Sequence, residues 1–232
     1  MALPKIDNPT YTLELPSTAE VIKYRPFLVK EQKVLMLAQQ SDKAVDRNNA
    51  IVQIIESCTF GKVTDKNPLF DIEYVFLKLR SKSAGEKIKL NVSDPDDETF
   101  SVEHEINIDK IGVEKNKDHT DMIELSENIT IKMRYPDITF FNEGVNTGTI
   151  TETTGLIAKC VSQLVIEEEV YNREDMAAGE LEDWLDELTT EQFSKISKFF
   201  ETMPKLKHSF TLKNTKTGND FTITLEGLAD FF

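Results

Sequence analysis

Few residues in this chain could do chemistry. There are three histidines, His104, His119 and His208, and two cysteines, Cys58 and Cys160. A structural or catalytic zinc needs several Cys, His or acidic ligands, usually in pairs spaced CxxC or HxxxH. Neither spacing occurs. Each cysteine lacks a neighbouring base motif, so nothing activates a thiol nucleophile. Both fall on the apolar faces of predicted helices and read as small buried hydrophobes. His104 falls on the apolar side of an alternating segment and reads as a structural imidazole.

The acidic run Asp94-Pro95-Asp96-Asp97-Glu98 could ligate calcium, but it lacks the EF-hand order and its glycine at the sixth position. A solvated turn between two strands is the plainer reading, and Glu167, Glu168 and Glu169 read the same way. Gly144 and Gly148 sit in a Gly/Thr loop, outside any strand–GxGxxG–helix unit. No catalytic residue, metal or cofactor is therefore expected, and the chemistry left is that of binding.

Bulk composition narrows the partners. The 232 residues carry 27 Lys and Arg against 41 Asp and Glu, a formal net charge of −14. That field repels nucleic acid and anionic membrane, and no Lys-rich patch interleaves with aromatics. Hydrophobic residues make up 39%, enough for one large domain or two small ones. The opening MALPKIDNPT has no apolar h-region, so no signal peptide is expected. The apolar runs are too short to span a membrane. Two lone thiols suit a reducing cytoplasm.

The elements that must position any binding surface can be read from periodicity. YTLELPSTAEVIKYRPF offers two short strand-like pieces around Pro16-Ser17-Thr18. Lys30–Gln39 has helical spacing, as do Ala44, Asn48, Ile51, Ile55 and Cys58, with Gly61 as a natural stop. The strongest helix is NPLFDIEYVFLKLRSKSAGE. Asn67 would cap it, Pro68 would take its first position, and its basic residues cluster at its C-terminal end. It is apolar on two faces, which places it between layers or in an interface.

Past Gly85 the period changes to two. Ile88, Leu90 and Val92 alternate with polar neighbours, as do Phe100–Ile108 and Ile129–Met133, and these three segments predict one antiparallel sheet. FFNEGVNTGTITETTG reads as a linker. Leu156, Ile157, Cys160, Val161, Leu164 and Val165 predict an amphipathic helix, with a strand over 166–171. Leu181, Trp184, Leu185 and Leu188 share a face of a short acidic helix. Thr189 with Gln192 fits a capping box for a helix ended by Pro204. HSFTLKNTKTGNDFTITLEG predicts a hairpin around Thr217-Gly218-Asn219-Asp220.

The fold expected is α+β: helices packed on a small antiparallel sheet, with a smaller C-terminal helix-plus-hairpin part. The boundaries expected are an N-terminal domain at 1–140, a linker at 141–155, and a C-terminal part at 156–232.

Two stretches could meet a partner. Tyr24-Arg25-Pro26-Phe27 is either a partner-facing loop or only a strand-to-helix corner. The chain ends in LEGLADFF, where Leu225, Leu228 and Phe232 are spaced to share one side of a final helical turn. With Phe231, they either complete the chain's own core or dock into another protein. Burying both phenylalanines would contribute roughly 3–6 kcal/mol.

Three longer stretches carry a family resemblance: KYRPFLVKEQKVLMLA, FDIEYVFLKLRSKSAGE and ITLEGLADFF. Together they resemble the baseplate hub and hub-assembly proteins of T-even-like contractile-tail bacteriophages. The resemblance implies a non-enzymatic structural subunit of the baseplate central hub, taking part in tail assembly. The alternative it leaves is a virus-encoded assembly chaperone for hub or tape-measure protein, absent from the mature virion. It implies the virion tail baseplate as location, host cytoplasm during assembly, and other hub and tail proteins as partners, with a homo-oligomer left open. Some relatives carry a CxxC pair in the last hairpin. This chain has LKNTKTG there, so packing rather than metal is expected to hold that hairpin.

Overall fold

A computed structural model describes residues 7–141 and 150–231. Its contacts cluster into two compact units, residues 1–114 with 205–232 and residues 115–204. The chain opens with strands β1 (Tyr11–Glu14) and β2 (Val21–Tyr24), paired antiparallel as a two-stranded ribbon. Helices α1 (Val29–Gln39), α2 (Ala44–Cys58) and α3 (Leu69–Ala84) follow. Strands β3 (Lys87–Asp94) and β4 (Asp97–Asn107) form a long hairpin, and β5 (Val113–Glu114) closes this stretch.

The second unit contains β6 (Met122–Ser126), β7 (Ile129–Met133), α4 (Ile150–Cys160), β8 (Val161–Ile166), β9 (Glu169–Asn172), α5 (Glu180–Asp186) and α6 (Thr190–Thr202). Strands β10 (Lys205–Lys213) and β11 (Asp220–Glu226), with a last 3-10 turn at Leu228–Phe231, return to the first unit. The fold is α+β, with its sheets antiparallel.

In the first unit α3 is central. Phe70, Ile72, Val75, Phe76, Leu77 and Leu79 are all buried, which is why this helix is apolar on two faces. Around Leu77 gather Ile88, Ile106, Ile108, Ile111, Leu206 and Leu225. The N-terminal cap differs from expectation. Asn67 Oδ1 accepts from the Thr64 N–H at 2.9 Å and so shapes the preceding turn, while Pro68 takes the cap position. The carboxylate of Asp71, fully buried, is spent on Ser17: it accepts from that residue's N–H at 3.0 Å and from its hydroxyl.

The second unit is a four-stranded sheet in the order β6-β7-β8-β9, with Ile131, Leu164, Ile157, Leu185 and Ile196 in one core. Glu167 and Glu168 form its two-residue β8–β9 turn, both with positive φ, as primed hairpin turns require. The capping box of α6 is present: Gln192 N–H donates to Thr189 Oγ1 at 3.3 Å and Thr189 N–H to Gln192 Oε1 at 2.9 Å.

Three expectations are corrected. Ile129–Met133 does not join β3 and β4; it lies between β6 and β8 in the other unit's sheet. The helix expected over Leu156–Val165 ends at Cys160, and Val161, Leu164 and Val165 belong to β8. The C-terminal hairpin does not form a separate part with α4–α6. It pairs through Leu206 with Val113, so its sheet neighbour is β5. Of the linker expected at 141–155, residues 142–149 lie outside those described.

Candidate partner-binding site

The Tyr24–Phe27 corner is built by the end of β2. Pro26 stops the strand, and Arg25 N–H donates to the Cys58 carbonyl at 3.0 Å, tying the corner to the end of α2. Tyr24 and Arg25 are buried. The guanidinium donates to Glu31 Oε1 at 2.9 Å, to Ser57 Oγ at 2.8 Å and to the Pro26 carbonyl at 3.1 Å. The second carboxylate oxygen of Glu31 accepts from the Leu28 N–H at 2.8 Å, at the first turn of α1. Burial alone would raise the pKa of Glu31. The hydrogen bonds from Arg25, Leu28 and Ser57 outweigh it and hold the carboxyl at about 2. Pro26 and Phe27 are half-buried. Phe27 donates its N–H to Ser83 Oγ at 2.8 Å and packs its ring 5.6 Å from that of Phe76.

The tail is not a helical turn continuing from Leu225. Leu225 is in β11 and buried, and a 3-10 turn carries Leu228 and Phe231. Phe231 is 1% exposed, packed with Leu77, Ile88, Ile106, Ile108, Ile111, Leu206 and Leu225. Leu228 is half-buried, and Phe232 lies outside the described residues. Gly227 makes the bend. Its φ is +70°, its N–H donates to the Leu206 carbonyl at 3.0 Å, and a Cβ there would meet Glu73 Oε1 at 3.0 Å.

Glu73 was not singled out by spacing, yet it holds the tail. Its Oε1 accepts from the Leu228 N–H at 3.1 Å. Burial pushes its carboxyl up to about 7; the hydrogen bond from Leu228 pulls it down and the charge of Glu226 adds to the rise. The folded state therefore binds the proton more tightly than the unfolded chain. Glu73's contribution is fully present below about pH 4.5 and is lost as pH rises through about 7. Over that window the loss is on the order of 2–3 kcal/mol. Glu73→Gln keeps an acceptor for Leu228 and cannot ionise. Urea unfolding at pH 5 and pH 8 should show the variant losing less stability than the wild type on going to pH 8. Equal losses would refute the assignment.

Other candidates from the sequence are structural. Cys58 and Cys160 are buried and unpaired, and burial pushes their thiols up to about 11 and about 12, away from the thiolate. His104 stacks on Phe210 at 4.6 Å. His119 lies within hydrogen-bonding distance of Thr202 Oγ1 and the Tyr135 hydroxyl, both at 3.0 Å, and stacks on the Tyr135 ring beside Phe199. Within the acidic run Asp94 is buried, which departs from a wholly solvated turn. The fully buried Asn214 donates to Asp94 Oδ2 at 2.8 Å and to Asp97 Oδ2 at 3.2 Å, joining the β3–β4 turn to the tip of the last hairpin. Asn214 lies within LKNTKTG, where relatives were expected to carry CxxC. Among the described residues no group of three or more His, Cys, Asp or Glu could hold a metal ion. Among the same residues, no helix is long and apolar enough to cross a membrane.

No curated protein and no solved structure matches the chain. A family model described as T4 bacteriophage base plate protein matches residues 8–232. That match takes in α3, the Tyr24–Phe27 corner and the tail alike, and it omits only the first seven of 232 residues. The chain belongs to the T4 bacteriophage base plate protein family.

Proposed function

We propose that this protein is a non-enzymatic structural subunit of the central hub of a contractile-tail baseplate, taking part in tail baseplate assembly. The family match over residues 8–232 carries the reading, since it spans both compact units. The side chains agree with it. Both thiols are held protonated by burial, and His104 and His119 are taken up in ring stacks. A working acid–base site would need titratable groups poised in a cleft with a substrate position between them.

Its partners are other hub and tail proteins. It acts in the virion tail baseplate after assembly in the host cytoplasm, without nucleic acid or membrane. The buried faces of Arg25 and Phe231 belong to the protein's own core in this reading, and partners meet the surface around them. Quantitative mass spectrometry of purified mature tails tests it. The chain should be present at a fixed, small, whole-number ratio to a tail-tube protein.

A further inference from the structure

An open cleft of about 460 Å³ lies in the first unit between the β1–β2 ribbon and α3. Its lining opposes the character of the molecule. In a chain of net charge −14, this cleft presents Lys23, Lys78 and Lys82 against the single acid Asp109. Tyr74, Lys78 and Lys82 stand at i, i+4 and i+8, so they form one line along α3.

The two lysines of α3 differ: Lys78 is held by neutral carbonyls, whereas Lys82 is paired with two carboxylates. Lys78 Nζ donates to two carbonyls, those of Asp109 and Ile111 (the latter at 3.1 Å), and lies 5.0 Å from the Tyr74 ring centre. Lys82 Nζ sits 2.7 Å from Glu86 Oε1, 3.2 Å from Asp109 Oδ2 and 5.9 Å from the Tyr11 ring centre. Lys23 makes no ion pair among the described residues and is exposed. An ammonium has three donors, so Lys78 and Lys82 each keep capacity for a further acceptor.

The opposite wall is a strand edge. Four consecutive residues, Thr10 to Leu13, line the cleft. The face of a strand presents only alternate residues, so a run of four brings the backbone of β1 to the cleft as well as its side chains, beside Lys23 and Tyr24 of β2. Among the described residues the ribbon has two strands, and none pairs with β1 on its outer side. An unpaired edge offers backbone N–H and C=O groups to an added strand. The spacings match as well. Residues four apart on a helix are about 6 Å apart along its axis. Alternate residues of a strand are about 6.6 Å apart. A strand added to β1 would carry same-side carboxylates at a spacing close to that of Lys78 and Lys82 on α3.

We propose that this cleft binds an extended acidic peptide segment of another protein, which adds as a strand to the edge of β1 and sets its carboxylates against Lys23, Lys78 and Lys82. The tyrosine faces and the strand edge are what a bare anion could not use. The proposal stands independently of the hub assignment.

The test uses the full chain and a fluorescein-labelled alternating glutamate–threonine peptide of about eight residues, long enough to span the cleft. Anisotropy should show salt-dependent binding, and the lysine–threonine counterpart should not bind. The double variant Lys23→Glu/Lys82→Glu, checked for an unchanged melting curve, should weaken binding roughly tenfold or more. Hydrogen exchange on the wild-type protein gives a readout free of variant folding: the peptide should slow exchange of amides within Thr10–Leu13. No binding up to about 1 mM peptide would overturn the proposal. So would protection elsewhere only, or equal affinity for inorganic tripolyphosphate without protection of β1.

Discussion

Arg25→Ala is expected to lower the unfolding free energy by about 3–5 kcal/mol, the cost of breaking a buried ion pair by removing one partner. The loss is not chiefly that of an attraction. The Arg25 and Glu31 side chains are 11% and 5% exposed, 2.9 Å apart, and the guanidinium sits in a buried cluster with Ser57 and Cys58. Without it the buried Glu31 carboxylate keeps the Leu28 N–H, the Ser57 hydroxyl and the solvent-exposed Lys30 ammonium 3.4 Å from Oε1. Its pKa should then rise, because the largest offset to burial is gone.

The pH dependence follows. In the wild type the depressed pKa contributes stability that is present above about 4.5 and lost as pH falls toward about 2. In Arg25→Ala that acid sensitivity should shrink or reverse. Arg25→Ala/Glu31→Gln should recover part of the loss, giving a coupling well outside simple additivity. Chemical unfolding at pH 7 and pH 3 measures all of this. An Arg25→Ala protein as stable as wild type would mean that the corner is not an internal clamp, and would return Arg25 to the partner-facing reading.

Phe231→Ala should cost about 3–5 kcal/mol, the range for removing a large aromatic from a packed core. Phe231 is 1% exposed and touches the products of several elements at once: Leu77 of α3, Ile88 and Ile106 of the long hairpin, and Leu206 and Leu225 of the last one. The cavity left would be bordered by elements far apart in sequence, which cannot close on it together. The melting midpoint should fall by roughly 10 °C. Removing Phe231 and Phe232 together should fall at least as far. An unchanged melting curve with lost partner binding would assign the tail to docking instead.

Local patterns made much of this fold readable. The apolar residues of α3 recur on two faces, and β3 and β4 alternate cleanly, so each declares its own period. Thr189 and Gln192 satisfy each other within one turn, a relation that spacing alone reveals. What failed was non-local or ambiguous. Val161, Leu164 and Val165 fit both a helical stripe and a strand, and only pairing with β7 decides for β8. Leu225 fits a helical stripe with Leu228, yet the register of β11 against His208 makes it a strand residue. Nothing near Leu206 in sequence announces Val113 as its partner. Tyr24-Arg25-Pro26-Phe27 left a partner-facing loop and a strand-to-helix corner both open; the buried counter-charge of Arg25, Glu31, stands six residues on, at the start of α1. Nothing in the sequence signalled the contacts that Glu73 and Asn214 make. A single carboxylate or amide becomes informative only when the fold brings Leu228 or Asp94 to it across more than a hundred residues.

The most direct test of the central claim is the copy number of this chain in purified mature tails, counted by quantitative mass spectrometry against a tube or sheath protein of known stoichiometry. A fixed, small, whole-number ratio is the predicted result and would establish a structural baseplate subunit. Absence from tails, with presence in infected-cell lysate, would contradict it and make the protein an assembly factor that leaves once the baseplate is built.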